Sequence, residues 1–152
     1  MEIKELKNRT RFKNDRLTKA YRKFSDLIHE LRNQSLNDKV ISFINEQIDL
    51  LNRNHDEKAL RKQIRISQHK IIQLLVKEHK LVPKSYYRNL WMVLGMSAFG
   101  VGIGTAFGTA LGNMGFLGIG IPFGMAIGIA VGISMDNKAA KEGRQLKFDL
   151  GK

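Results

Sequence analysis

The sequence contains no cysteine. A disulfide scaffold, a thiolate zinc or iron–sulfur site, a cysteine nucleophile and a lipobox lipid anchor are therefore excluded. Charge is missing from one long stretch: residues 89–135 hold no Asp, Glu, Lys or Arg, although the chain has 26 basic and 14 acidic residues. The same stretch holds 12 of the 14 glycines. A mean hydropathy of −0.26 conceals this division into a polar and an apolar part.

The motifs of common enzyme and metal sites are also missing. The glycine-rich stretch lacks the Lys-Ser/Thr pair of a phosphate-binding loop, and no nucleophile can be paired with a base. The histidines show neither HExxH nor another metal-ligand spacing; they are His29, His55, His69 and His79. We therefore expect no enzymatic activity, no catalytic residues, no metal and no cofactor.

The uncharged stretch has the length of two membrane spans. As one helix its 47 residues would extend about 70 Å, whereas a bilayer core is about 30 Å thick. Gly112-Asn113-Met114-Gly115 supplies a turn, since Asn and Gly tolerate left-handed backbone. We place the spans at about 90–111 and 116–135. The N-terminus is charged from its second residue and has no apolar signal core, so we expect it to stay in the cytosol.

The flanks of the two spans support a hairpin. Ser85 is positioned to cap the first span, and basic and aromatic residues adjoin both spans on what must be one side. The positive-inside tendency puts that side in the cytosol. The predicted interface residues are Lys84, Tyr86, Tyr87, Arg88, Trp91, Lys138, Lys141 and Arg144.

Each predicted span carries a run of glycines four residues apart. Glycine inside a helix costs about 1 kcal/mol relative to alanine, but it allows two helix backbones to approach closely. The glycines are Gly100, Gly104, Gly108 and Gly112 in the first span and Gly120, Gly124, Gly128 and Gly132 in the second. We interpret both runs as helix-packing faces.

A second stripe of small residues lies on the opposite side of each predicted span. It includes Ala106 and Ala110 in the first span and Ala126 and Ala130 in the second. One small face suffices to close a hairpin, so the second predicts contact with another molecule in the membrane. Small and large residues also alternate with period two, which suits strands, but the span length and the four-residue glycine period favour helices.

The apolar segment resembles the glycine-zipper membrane hairpins of small bacterial proteins. The tandem zippers, the turn at Gly112-Asn113-Met114 and the polar exit from Met135 to Lys138 carry the resemblance, which covers about 85–146. It implies two spans in the bacterial inner membrane with both termini cytosolic. It supplies no activity, because many of these proteins are uncharacterised.

Residues 1–84 predict a basic cytosolic helical domain, either a small bundle or a coiled coil. The apolar seam of a first helix consists of Leu17, Tyr21, Phe24, Ile28 and Leu31. This apolar pattern weakens before Leu17. A capping box from Ser35 to Asp38 predicts the start of a second helix, whose core face is Ile41, Ile44, Ile48 and Leu51. After a break at 52–56, a third helix runs from about 57 to 81 on Leu60, Ile64, Ile71, Leu74 and Leu81. The predicted class is all-α, with 136–152 as a basic cytosolic tail.

The domain before the spans is strongly basic. Residues 1–88 carry 21 basic and 11 acidic side chains. The predicted basic patch comprises Arg9, Arg11, Lys13, Arg16, Lys19, Arg22, Lys23, Arg61, Lys62 and Arg65. Anionic lipid headgroups explain this excess without another partner, at roughly 1 kcal/mol per basic residue near the surface. An acidic protein, RNA, ribosomes or DNA are the alternatives.

We therefore expect a non-enzymatic membrane protein with a scaffold or accessory role. Its hairpin would self-assemble into a homo-oligomer or dock onto another membrane protein. Two alternatives stay open: an oligomeric pore or channel, and a membrane tether for nucleic acid or ribosomes. The pore is disfavoured by the small number of hydroxyls in the spans.

Overall fold

The computed structural model describes residues 2–7, 9, 12, 14–54 and 56–149. The fold is mostly helical, as predicted. The helices are α1 (Asp15–Arg32), α2 (Asp38–Arg53), α3 (Glu57–His79), α4 (Tyr86–Leu94), α5 (Val101–Ala110) and α6 (Leu117–Lys141). A π-helical segment, Gly95–Gly100, joins α4 to α5, and a 3-10 turn, Met114–Phe116, precedes α6. The expectation of a purely helical chain missed a small sheet in which β1 (Val82–Lys84) pairs with β2 (Gln145–Asp149).

The chain forms two compact units, one built on α1–α3 and one on α4–α6. In the first unit α3 packs against both α1 and α2, so these helices form a small bundle, one of the two predicted arrangements. Polar side chains cap the N-termini of the helices of this unit. Asn14 accepts from the amide of Arg16 at the start of α1, and Asp56 accepts from those of Lys58 and Ala59 at the start of α3. The predicted capping box at Ser35 was wrong, because Asn37 caps α2 by accepting from the Val40 amide at 2.9 Å.

The core of the first unit follows the predicted seams with two shifts. Leu17, Phe24 and Leu31 are fully buried, as are most of the predicted positions on α2 and α3. Val40 replaces Ile41 in the core, and Leu75 replaces Leu74. Each replacement lies one residue away in sequence, about 100° around a helix, which is the precision that periodicity allows.

Both ends of the chain contribute to the first unit. Residues 2–7 are extended and hydrogen-bonded to α1 and α2. The apolar pattern of the first helix, which weakens before Leu17, did not predict these contacts. The described part of the predicted tail, residues 136–149, completes α6 up to Lys141 and then forms β2. Its Leu146 and Phe148 are buried, and the Glu30 carboxylate accepts hydrogen bonds from the amides of Lys147 and Phe148.

The second unit is a helical hairpin. Tyr86–Ala110 forms one continuous helical rod of 25 residues, and Leu117–Lys141 forms the other. Both are long and apolar enough to span a membrane. The reversal falls between Leu111 and Phe116, close to the predicted turn, with Gly112 at φ +63° and the Asn113 side chain accepting from the Gly115 amide at 2.8 Å.

Candidate functional site

The interior of the hairpin is built from glycine. Among the described side chains between Lys84 and Met135, every buried residue is a glycine. These residues are Gly95, Gly100, Gly104, Gly108, Gly120, Gly124, Gly128 and Gly132. The large apolar side chains point outward instead: Phe123 is 62% exposed, Leu111 60% and Phe107 56%. This arrangement inverts the usual one, in which large apolar side chains fill the core.

The two rods meet backbone to backbone along this glycine face. A Cβ atom added at Gly100 would lie 2.8 Å from the Cα of Ile121, and one added at Gly124 would lie 2.6 Å from the Cα of Gly100. Cβ atoms essentially never approach other atoms within 3.0 Å. Gly128 is enclosed in the same way by the carbonyl of Trp91. Only glycine therefore fits at these crossings.

The glycine face of the first rod begins earlier than the sequence pattern suggested. Gly95 lies on it, although five residues separate it from Gly100 and a regular helix would rotate it off the face. The π-helical segment Gly95–Gly100 absorbs the extra residue, because a π turn takes up one residue more than an α turn. The five-residue spacing was the available signal, but it was not recognised.

Gly112 belongs to the turn and not to the packing face. It follows the end of α5 with φ +63°, and no atom lies within 4 Å of where its Cβ would be. Its role is therefore the left-handed backbone that glycine permits at a helix C-terminus. The assignment of Gly112 to the packing face needs this correction.

The second stripe of small residues lies on the outside of the hairpin. Ala106, Ala110, Ala126 and Ala130 are all exposed, as are Gly102 and Gly118, where an added Cβ would meet nothing within 4 Å. These residues make no contribution to closing the hairpin. They form a shallow apolar surface on which another helix could approach closely.

Asp136 ties the open end of the hairpin together. It lies on α6 with 8% exposure, and its two carboxylate oxygens accept from the backbone amides of Tyr87 and Arg88, both at 3.0 Å. These amides open the first turn of α4, where a negative charge also complements the helix dipole. Ser85 was predicted as this cap, but it has φ +59° and its side chain makes no capping hydrogen bond. A cap from a distant residue leaves no local sequence signal.

The predicted interface residues gather at this same end of the hairpin. Lys84, Arg88, Lys138 and Lys141 are exposed, whereas Tyr86, Tyr87, Trp91 and Arg144 are half-buried. The rings of Tyr86 and Tyr87 meet edge to face with centroids 5.3 Å apart. A hydrogen bond with Glu142 raises the pKa of Arg144 above its already high value, so its charge is fixed.

Three hydroxyls of the first rod form hydrogen bonds within their own helix. Ser97 donates to the Val93 carbonyl at 2.9 Å, and Thr105 donates to the Val101 carbonyl at 2.9 Å. Thr109 repeats the pattern on Thr105 at 3.0 Å. Such bonds let a hydroxyl face an apolar environment without an unpaired donor.

The basic patch is only partly within the described residues. Arg11 and Lys13 lie outside them. Arg16, Lys19, Arg22, Arg61, Lys62 and Arg65 are exposed, and Lys23 is half-buried. Arg9 is half-buried, and its guanidinium donates to the carbonyls of Asn52 and Asn54 at 2.9 and 2.6 Å.

Two other groups in the first unit have perturbed ionisation. Burial raises the pKa of Tyr21, an effect that the nearby Arg9 partly opposes. A hydrogen bond from Lys39 at 2.9 Å lowers the pKa of the Glu78 carboxyl. The described part of the chain brings together no group of three or more His, Cys, Asp or Glu side chains that could hold a metal ion.

No protein-family model, no curated protein and no solved structure matches this chain. The resemblance to glycine-zipper membrane hairpins therefore stays a prediction from the sequence.

Proposed function

We propose that this protein is a non-enzymatic, two-span membrane protein with a scaffold or accessory role. One observation carries the proposal: the hairpin buries its glycines and exposes its large apolar side chains. In water such a surface would be a severe aggregation liability, since monomeric soluble proteins rarely expose large contiguous apolar patches. In a bilayer the same side chains face lipid, and the backbone groups are satisfied within the helices.

The orientation part of the proposal rests on the charged end of the hairpin. The Asp136 cap holds the start of α4 beside the end of α6, so the basic residues flanking both rods lie at one end. The opposite end consists of Leu111–Phe116 and carries no charge. Basic flanks remain in the cytosol, which places the turn on the far side of the membrane.

Accessibility labelling in bacterial cells tests this topology. The natural chain has no cysteine, so single-cysteine variants give no background. Asn113→Cys should react with a membrane-impermeant maleimide in intact cells, whereas Lys19→Cys and Lys138→Cys should react only after permeabilisation. Extraction of the protein by an alkaline carbonate wash, or labelling of Lys138→Cys in intact cells, would contradict the proposal.

The assembly part of the proposal rests on the outer stripe of small residues. Because the glycine faces are used inside the hairpin, the association with other membrane helices falls to the exposed alanines of the second stripe. Ala126→Leu should therefore reduce the mass of the complex extracted in mild detergent. Ile127→Leu changes an exposed neighbour without filling the stripe, so it serves as the control. An unchanged mass in Ala126→Leu would refute assembly through this surface.

The basic surface of the first unit supports a location against an anionic leaflet. Its exposed lysines and arginines lie in a chain of formal net charge +12. Attraction to anionic headgroups falls off within a Debye length, about 8 Å at physiological salt, so it requires the tethering that the hairpin would provide. Mobility of this unit on vesicles should increase when anionic lipid is replaced by zwitterionic lipid.

A further inference from the structure

The extended N-terminal segment, residues 2–7, is bound through its main chain. Asn45 on α2 accepts from the Lys4 amide at 2.7 Å and donates to the Glu2 carbonyl at 2.9 Å. Asn52 repeats the arrangement three residues further along the segment. It accepts from the Lys7 amide at 3.0 Å and donates to the Glu5 carbonyl at 3.3 Å.

The repeat arises because the helix and the segment have matching spacings. Asn45 and Asn52 are seven residues apart, so about 10.5 Å separates them along α2. Three residues of an extended chain cover about 9–10 Å. Each asparagine therefore meets an equivalent pair of main-chain groups, and the segment runs in the same direction as α2.

Helix α1 forms the other side of this groove, and the segment groups that it binds are also three residues apart. Arg32 donates to the Lys4 carbonyl at 2.8 Å, and the Tyr21 hydroxyl donates to the Lys7 carbonyl. Six main-chain groups of the segment are thus bound by four side chains of α1 and α2. None of these bonds depends on the identity of a side chain in the segment.

Only a few contacts depend on the segment's side chains. Ile3 and Leu6, three residues apart, are half-buried. Lys4 forms an ion pair with Asp49 at 2.7 Å. The fully buried apolar side chains of the helical unit begin at Leu17 and include none from the segment.

We propose that the groove formed by Tyr21, Arg32, Asn45 and Asn52 is a binding site for an extended polypeptide of a partner protein, occupied in this structure by the chain's own residues 2–7. The partner segment has two apolar residues three apart and a lysine directly after the first, the pattern of Ile3, Lys4 and Leu6. Because the bonds are to the main chain, the remaining positions are unrestricted. The chain's own segment acts as a competitor that a partner must displace.

Fluorescence anisotropy of a labelled peptide with the sequence of residues 1–9 tests the proposal on the full-length protein in detergent. Ile3→Asp with Leu6→Asp removes the apolar anchors of the internal competitor without altering the groove. This variant should bind the peptide saturably and at least tenfold more tightly than the natural chain, since an internal segment competes at millimolar effective concentration. Its helical circular dichroism should match that of the natural chain.

Modified peptides separate main-chain recognition from other binding. Methylation of the backbone nitrogens of Lys4 and Lys7 removes two donors and should weaken binding at least tenfold. Glu2→Ala with Glu5→Ala in the peptide should leave affinity within about twofold, because only the carbonyls of these residues are bound. In the protein, Asn52→Asp replaces a donating amide by a carboxylate and should weaken binding at least tenfold.

Hydrogen exchange on the natural chain provides a test without any substitution. Saturating unlabelled peptide should accelerate exchange at the chain's own Lys4 and Lys7 amides, because the displaced segment loses its partners. Lack of saturable binding by the folded double variant, unchanged exchange at these amides, or equal binding of the methylated peptide would each overturn the proposal. If intact protein but not free peptide fills the groove, the occupant is a second copy and the proposed partner class is wrong.

Discussion

Replacing Gly124 by alanine adds one methyl group where the two rods of the hairpin meet. The new Cβ would lie 2.6 Å from the Cα of Gly100, about 0.8 Å short of the 3.4 Å at which ordinary contact begins. The carbonyl of Gly95 and the amide of Gly100 would be closer still. All these neighbours are backbone atoms, so no side-chain rotation relieves the contact and the rods must separate.

The magnitude follows from two opposing effects. Alanine is favoured over glycine in a helix interior by about 1 kcal/mol. Overpacking costs about 1–3 kcal/mol, and we expect the upper end because the opposing atoms are backbone. Gly124→Ala should therefore destabilise the hairpin by about 2 kcal/mol. Gly118→Ala, on the same helix but with nothing within 4 Å of the new Cβ, should stabilise it by up to about 1 kcal/mol.

Unfolding in mixed micelles of increasing dodecyl sulfate content measures this difference. The single tryptophan, Trp91, lies on the first rod and is half-buried, so its emission should change when the hairpin unfolds. Gly124→Ala should unfold at a lower dodecyl sulfate fraction than the natural chain, and Gly118→Ala at an equal or higher one. Equal midpoints for the two variants would refute backbone-to-backbone packing at Gly124.

Three further predictions follow from particular contacts. Deleting Ala98 should remove the π-helical segment and preserve the hairpin. Deleting Ala106 should instead rotate the two ends of the first rod by about 100° relative to each other, and the hairpin should then unfold at a lower dodecyl sulfate fraction. Asp136→Ala should destabilise the hairpin by about 1–3 kcal/mol in the same titration, and Ser85→Ala should have little effect because the Ser85 side chain makes no capping bond. The lowered pKa of Glu78 stabilises the fold above the unfolded carboxyl pKa of 4.5, and that stabilisation is lost as pH falls through the folded pKa. Thermal melts from pH 3 to 6 should therefore show a shallower loss of stability on acidification in Glu78→Gln, and an unchanged slope would refute the effect.

Periodicity in the sequence predicted the helices well because each has a continuous apolar or glycine pattern. Several features that it missed depend on residues distant in the chain. Asp136 caps a helix that starts about fifty residues earlier, and Glu30 binds amides of Lys147 and Phe148. The groove that binds residues 2–7 also escaped detection, since the asparagines at 45 and 52 contact main-chain atoms and impose no pattern on the bound sequence.

For the glycine face, the periodic pattern correctly predicted the type of packing but not which glycines lie at its ends. A strict four-residue repeat placed Gly112 on the face and left Gly95 off it. In the structure Gly112 is off the face, because the helix ends at Ala110, and Gly95 is on it, because a π turn lies between Gly95 and Gly100. Local helix geometry, which periodicity takes as constant, accounts for the difference.

The lipid exposure of the hairpin in a bilayer is the most direct test of the central claim. Single spin labels at Phe99, Phe107, Phe123 and Ile133, all exposed in the structure, report oxygen and aqueous nickel-chelate accessibility by power saturation. The account predicts high oxygen and low chelate accessibility at each position, with the greatest depth near the middle of each rod. High chelate accessibility along either rod would contradict a hairpin that spans the membrane with its glycines inside and its large side chains in lipid.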